Sequence, residues 1–304
     1  MAAGAGMIIS RAMIRDMFHG AEAGQLMALV AMMGGAGPII APIVGGWLHV
    51  WFGWRGVFIF LALLGMVLLC LCRFGLPESL PTHLRHSFHP IKLGRAYWGA
   101  LRQPAFLLSC AALAFGGGGF LLYVATAPDV VLNILQLSET QFGWLFVPLI
   151  SGLIIGSAVG GKLLGRVPSA RLMRWGFALM AAGAVVNLLT NLWLPPRVPW
   201  SVLPLTIYTF GFSFVAPVAT IEGLDMLPHR KGLASSLQGF SQILVFALIA
   251  SGVAPLIYRS GVKHAVGLLA LAALCALAYA GSKKLSRPPT QIEPAKLNQA
   301  LSQI

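Results

Sequence analysis

Stretches of about 20 consecutive apolar residues recur along nearly the whole of this 304-residue chain. Each is long enough to cross the roughly 30 Å hydrocarbon core of a bilayer as an α-helix. Backbone polar groups in lipid must be paired within the protein, which favours helices for such stretches. Charged residues make up only 10% of the chain, too few to cover the surface of a soluble protein of this size. The sequence therefore predicts an all-α polytopic membrane protein.

Nine apolar segments can be distinguished, at about 1–15, 24–49, 56–73, 105–127, 141–164, 173–193, 201–221, 236–257 and 264–281. The first segment is short for a full crossing, whereas the other eight are long enough. A polar, proline-containing linker at 76–103 leaves three segments before it and six after it. The predicted organisation is a first helical region at 1–75, a cytoplasmic linker at 76–103, a six-helix bundle at 104–287 and a cytoplasmic tail at 288–304.

Basic residues concentrate in alternate connections, which is the pattern that sets the orientation of membrane proteins. With the end of the first segment in the cytoplasm, the opposite side receives only Arg55, Arg197, Arg259 and Lys263. The remaining connections hold most of the basic residues, so we expect a multi-pass protein with a cytoplasmic C-terminus. This bias also accounts for the net charge of +13. Basic and aromatic residues do not interleave as they do on nucleic-acid surfaces, so no nucleic-acid partner is expected.

The second segment carries small residues at four-residue spacing. Gly37, Ala41 and Gly45 share one helix face, which lets a second helix approach closely. Pro42 removes a backbone donor and bends the helix, and Gly46 adds a further small residue. The pattern predicts a kinked helix with a tight packing face, although the small residues alone also suit ordinary helix packing.

These residues resemble the antiporter motif on the fifth helix of major facilitator drug exporters, with Ala41 where that motif usually has glycine. Other matches follow in family order and resemble the Bcr/CflA drug-resistance branch. They are Ser10 to Asp16 (end of helix four), Gly53 to Phe58 (turn five–six), Leu76 to Ser79 (end of helix six), Leu137 to Phe146 (turn seven–eight) and Pro228 to Leu237 (turn ten–eleven).

The resemblance implies the major facilitator fold, in which a cytoplasmic linker joins two six-helix bundles. Residues 1–75 then correspond to a remnant of the N-terminal bundle, and we expect the first three helices and part of the fourth to be absent. The implied function is proton-coupled efflux of drugs or other small apolar compounds by alternating access. We expect the protein in the bacterial inner membrane, surrounded by lipid, with small-molecule substrates, protons as the coupling ion and a monomeric state.

Two other functions stay open at this point. The chain could be an inactive truncated remnant or an accessory membrane protein, because the missing helices would form half of the first bundle. A nutrient symporter of the same fold is disfavoured by the antiporter motif. No catalytic cluster or nucleotide-binding loop is present in the sequence, so we expect neither an enzyme, nor a cofactor, nor a metal site.

Ionisable residues within apolar segments are costly, which makes each a candidate for function. Arg11, paired with Asp16, is interpreted either as a gate residue or as an interfacial arginine. Glu222 and Asp225 share a helix face, and are either gate or coupling residues or an interface pair. Asp129 is expected near the outer end of its segment, as a mouth or interface residue.

A run of four glycines lies in the fourth segment, at Gly116, Gly117, Gly118 and Gly119. Glycine increases the flexibility of a helix and also permits the close approach of a neighbour. The run is therefore either a hinge for rocking motions or a site of tight packing.

Overall fold

The computed structural model describes residues 17, 20–75, 90–164, 166–227 and 231–286, and these are almost entirely helical. The helices are α1 (Gly20–Gly75), α2 (Pro90–Leu101), α3 (Pro104–Ala125), α4 (Gly143–Leu163), α5 (Ser169–Trp193), α6 (Leu203–Asp225), α7 (Lys231–Leu248), α8 (Ala254–Ile257) and α9 (Gly261–Leu285). Seven helical stretches in the described part are long and apolar enough to cross a membrane. The predicted all-α polytopic architecture is confirmed.

Six of the seven stretches follow the linker, and they coincide with the six segments predicted there. A π-helical turn, Ile249–Val253, connects α7 to α8, so that these two helices form one crossing. The first predicted segment, 1–15, lies outside the described residues.

Helix α1 joins the second and third predicted segments into one element. The departure from helical backbone angles recorded in α1 is at Gly53, with φ of 67° and ψ of −179°. A positive φ is readily adopted only by glycine, so the predicted turn between the two segments contracts to this residue. The stretch Ile43–Gly75 buries almost none of its side chains against the rest of the described chain.

The predicted linker contains a helix that its polar composition did not suggest. Pro90 opens α2, a position where the missing N–H of proline is not needed. Tyr97 and Ala100 pack with Phe106 of α3 and Leu237 of α7, so that α2 docks on the bundle.

Glycines on α4 set its distance from α6. A Cβ at Gly152 would overlap the backbone carbonyl of Thr206, and one at Gly156 would lie 2.8 Å from the carbonyl oxygen of Phe210. This four-residue repeat allows backbone-to-backbone contact between helices that gain no hydrophobic drive in lipid.

The connections 126–142, 194–202 and 258–260 lie together at one end of the six-helix bundle, which we call the Asp129 end. The opposite end, the Glu222 end, holds the ion pair between Glu222 and Lys283. Successive connections thus alternate between the two ends, as the positive-inside pattern predicted. Which end faces the cytoplasm stays a prediction.

Candidate functional site

Helix α1 contacts the six-helix bundle at the Asp129 end through the antiporter-like motif. A Cβ at Gly46 would overlap the backbone carbonyl oxygen of Glu139, just before α4. At the neighbouring Gly45, by contrast, a Cβ would meet no atom within 4 Å. The two glycines therefore have different environments, and only at Gly46 does the approach depend on the absence of a side chain.

A charged pair lies one helical turn beyond this contact. Nε2 of His49 is 3.4 Å from Oε2 of Glu139, and each side chain is about half exposed (45%). The pair is an ion pair when His49 is protonated, and its exposure means that solvent and salt weaken it. It connects α1 with the connection 126–142.

Two apolar clefts flank the α1–α4 contact. The first, of about 460 Å³, is lined by Gly45, Gly46, His49, Trp54, Val57, Phe58, Pro128, Leu132, Glu139 and Phe142. The second, of about 450 Å³, is lined by Ile43, Thr140, Gln141, Gly143, Trp144, Val147 and Pro148. Both have the size and the mainly apolar lining that small-molecule sites commonly show.

The other motif residues lie along the same helix. Gly37 and Pro42 are within α1, and Ala41 is exposed. Arg11 and Asp16 lie outside the described residues, so their role at a gate stays a prediction.

Glu222 and Asp225 lie at the C-terminal end of α6, at the Glu222 end of the bundle. Oε1 of Glu222 is 2.8 Å from Nζ of Lys283 on α9, and it also accepts a 3.5 Å hydrogen bond from the hydroxyl of Tyr279. Asp225 is exposed one turn later. The contacts of Glu222 favour an interface pair that joins α6 to α9, while a coupling role for either carboxylate stays a prediction.

The four-glycine run lies in α3, where all four residues are buried. The hydroxyl of Tyr208 on α6 donates a 2.9 Å hydrogen bond to the carbonyl of Gly116, and a Cβ at Gly119 would overlap that same hydroxyl. A Cβ at Gly116 would lie 2.8 Å from Cε2 of Phe212. These contacts favour tight packing, and the hinge stays a prediction.

Asp129 lies just beyond the end of its helix, near where it was expected, but it is not exposed to solvent at a mouth. Its carboxylate is buried, with 4% of the residue exposed, and it accepts hydrogen bonds from Asn133 and from the backbone N–H of Arg259. His264, which the sequence did not single out, is buried beside it. The i, i+4 spacing of Asp129 and Asn133 could have indicated the local bond, but no local pattern relates either residue to His264.

Comparison with known proteins agrees with the motif resemblance. The chain is 25% identical over 279 residues to the Bicyclomycin resistance protein homolog of Haemophilus influenzae, covering 87% of this chain and 68% of that protein. It is 28% identical over 255 residues to the Multidrug transporter MdfA of Escherichia coli O6:H1, covering 79% and 58%. It is 26% identical over 204 residues to the Multidrug resistance protein MdtM of Salmonella typhimurium, covering 67% and 49%. The chain thus spans about half to two-thirds of the length of these relatives.

A solved structure shares the fold. The crystal structure of a bacterial homolog of the human lysosomal transporter Spinster superposes with a TM-score of 0.64 at 15% identity, covering 92% of this chain and 75% of that one. The relatives are also consistent with the Bcr/CflA-like branch that the motifs predicted. The model of the Major Facilitator Superfamily matches residues 1–250, so this chain belongs to the Major Facilitator Superfamily.

Proposed function

We propose that this chain acts in proton-coupled efflux of drugs or other small apolar compounds by alternating access. The observation that carries the proposal is the contact between Gly46 and the backbone carbonyl of Glu139. In alternating access the two bundles close at one end while the other end opens. A contact that only glycine permits, next to the pair of His49 and Glu139, suits such a closure point.

The nature of the transported compounds follows from the clefts and from the relatives. The clefts beside the closure point are mainly apolar, which suits lipophilic compounds better than sugars or amino acids. The relatives are named for resistance and multidrug transport, and none of those reported above is named as an enzyme. Protons as the driving ion, a monomeric state and an inner-membrane location with a cytoplasmic C-terminus complete the proposal.

An accessory or inactive role is the alternative that a transport assay must exclude. Efflux from bacterial cells that lack their own drug exporters separates the two. Cells expressing the chain are loaded with a fluorescent lipophilic cation and then energised. We expect efflux faster than in cells with an empty vector, and a return to the vector rate when a protonophore is added. A vector-like rate with the protein present in the membrane would favour the accessory role.

A cross-link across the closure point tests alternating access directly. The pair His49→Cys and Glu139→Cys is placed in a background in which Cys70, Cys72, Cys110 and Cys275 are replaced by serine. A short, cleavable reagent that joins two thiols should stop efflux, and cleavage should restore it. Each single-cysteine variant should keep its own rate when the reagent is added. Continued efflux in fully cross-linked protein would contradict a closure point here.

A further inference from the structure

A buried acid–imidazole pair lies at the Asp129 end, apart from the α1–α4 contact. Oδ2 of Asp129 is 4.0 Å from Nε2 of His264, and the two side chains are 3% and 1% exposed. Asp129 follows α3 and His264 lies in the first turn of α9, so the pair joins two elements that are distant in sequence. None of the residues selected by the family resemblance belongs to it.

Both oxygens of the Asp129 carboxylate accept hydrogen bonds. Its Oδ1 accepts a 2.8 Å hydrogen bond from Nδ2 of Asn133, and its Oδ2 accepts a 2.9 Å bond from the backbone N–H of Arg259. Arg259 has a φ of 59°, an uncommon conformation for a residue other than glycine. The bond to Asp129 stabilises this turn, because a charged acceptor strengthens the hydrogen bond.

The hydrogen bonds of His264 determine which ring nitrogen carries its proton. Nδ1 is 2.9 Å from the carbonyl oxygen of Ser260, which can only accept, so Nδ1 is the donor. In the neutral ring Nε2 is then an acceptor, and it faces the carboxylate, which is also an acceptor. Nε2 is buried and has no hydrogen-bond partner among the described residues. One additional proton on Nε2 would turn this unfavourable arrangement into a charge-assisted contact.

A small cavity next to His264 offers room for a donor of that proton. Its volume is about 10 Å³, close to what a single water molecule requires. Its polar lining includes the hydroxyl of Ser201, a second buried group without a hydrogen-bond partner in the described part of the chain. Ile134, Leu135 and Gly261 line both this cavity and an open groove of about 420 Å³, so these residues lie between the cavity and the groove.

Among the described residues, few charged or titratable groups lie around His264. Asp129 is the charged group at contact distance, and Tyr123 of α3 packs on the imidazole with ring centres 5.9 Å apart. The α5 residue that lines the cavity is Asn191, whose side-chain amide is uncharged. Arg197 and Arg259 line the outer groove, and Lys263 donates to the carbonyl of Leu256. Burial of the imidazole and these cations oppose the uptake of a proton, whereas the Asp129 carboxylate favours it.

We propose that Asp129 and His264 form a proton-binding site of the six-helix bundle. A hydronium ion entering the cavity transfers a proton to Nε2 of His264, an N–H bond forms as an O–H bond breaks, and neutral water remains. The Asp129 carboxylate then balances the charge of the imidazolium. The use of this proton in transport rests on the proposed function. Proton binding at the site does not, because it requires no transport.

Nitrogen-15 NMR of histidine-labelled protein in lipid nanodiscs tests the site. The chain has seven histidines, and the signal of His264 is assigned by its loss in His264→Gln. We expect Nε2 to change from unprotonated to protonated as the pH falls from about 8 to about 5, the range in which histidine usually titrates. At one pH within that transition, Asp129→Asn should lower the ratio of protonated to unprotonated His264 at least about tenfold, because the amide carries no charge. Glu222→Gln, which removes a carboxylate from the opposite end of the bundle, should leave the ratio unchanged.

Two results would overturn the proposal. One is an Nε2 that stays unprotonated throughout this pH range, and the other is an equal ratio in the wild type and in Asp129→Asn. Should Asp129→Asn not fold, Asn133→Ala replaces it, because Asn133 is exposed and donates to the same carboxylate. Loss of that bond should raise the protonated fraction, and an unchanged fraction would again overturn the proposal. An intact titration in a chain without efflux would count against the proposed function alone.

Discussion

The two adjacent glycines of the antiporter-like motif provide a matched pair of substitutions. Gly46→Ala places a methyl group against the carbonyl oxygen of Glu139, whereas Gly45→Ala places the same group where no atom lies within 4 Å. Both changes add one carbon to the same turn of α1. Any difference between them therefore reports on the contact with Glu139.

The size of the difference can be worked out from the contact. A carbon and a carbonyl oxygen settle at about 3.3–3.6 Å, so the methyl group at Gly46 requires the two segments to separate by roughly 1 Å. Overpacking of this kind costs about 1–3 kcal/mol. The gain of about 1 kcal/mol in helix propensity from glycine to alanine is common to both variants and cancels. A difference of 1–3 kcal/mol shifts the equilibrium between closed and open contact by about 5–150-fold.

The rate of cross-linking between His49→Cys and Glu139→Cys reads out this equilibrium. We expect the rate in the Gly46→Ala background to be at least about fivefold lower than in the Gly45→Ala background. The Gly45→Ala background should match the parent. Equal rates in the two backgrounds would refute the conclusion that Gly46 sets the closure distance.

Two further predictions concern the six-helix bundle. Gly119→Ala should lower the melting temperature, because its methyl group overlaps Tyr208. Gly117→Ala meets only an ordinary 3.4 Å contact and should be tolerated. If the run is a hinge, both variants should instead lose efflux at an unchanged melting temperature. Glu222→Gln should remove the charge pairing with Lys283 and lower the melting temperature slightly, in line with about 0.2–1 kcal/mol for an accessible pair. That difference should vanish in high salt, and a difference that salt does not change would contradict the pairing.

The crossings after the linker could be predicted from sequence because their cause is local. A run of about 20 apolar residues has few alternatives in a bilayer, so length alone indicates the helix. The contraction of a turn to Gly53 and the docking of α2 through Ala100 escaped prediction. The first depends on one dihedral angle, and the second on contacts with helices that come later in the chain.

In the candidate site, too, features with a local cause could be predicted from the sequence, whereas contacts between distant segments could not. The four-residue spacing of Gly37, Ala41 and Gly45 predicted a packing face, but the contact with Glu139 is at Gly46, whereas Gly45 has no atom within reach of a Cβ. The bond from Arg259 to Asp129 spans 130 residues, so no local pattern could indicate that this carboxylate is buried. Buried ionic contacts between distant segments depend on the assembled bundle.

The connection between α3 and α4 relates the two features of the Asp129 end. Asp129 is the first residue of the π-helical turn in this connection and faces His264. Glu139 lies near the end of the connection and faces His49 of α1. Backbone hydrogen bonds within the connection, including one of 2.9 Å from the N–H of Leu137 to the carbonyl of Val131, restrict the movement of these two residues relative to each other. A shift of Asp129 on proton binding would therefore move Glu139 as well. Coupling between two sites is reciprocal. If proton binding to His264 changes the equilibrium for closing α1 against Glu139 by some factor, closing must change the proton affinity of His264 by the same factor. Cross-linking His49→Cys to Glu139→Cys should accordingly alter the protonated fraction of His264, although the link touches neither member of the buried pair.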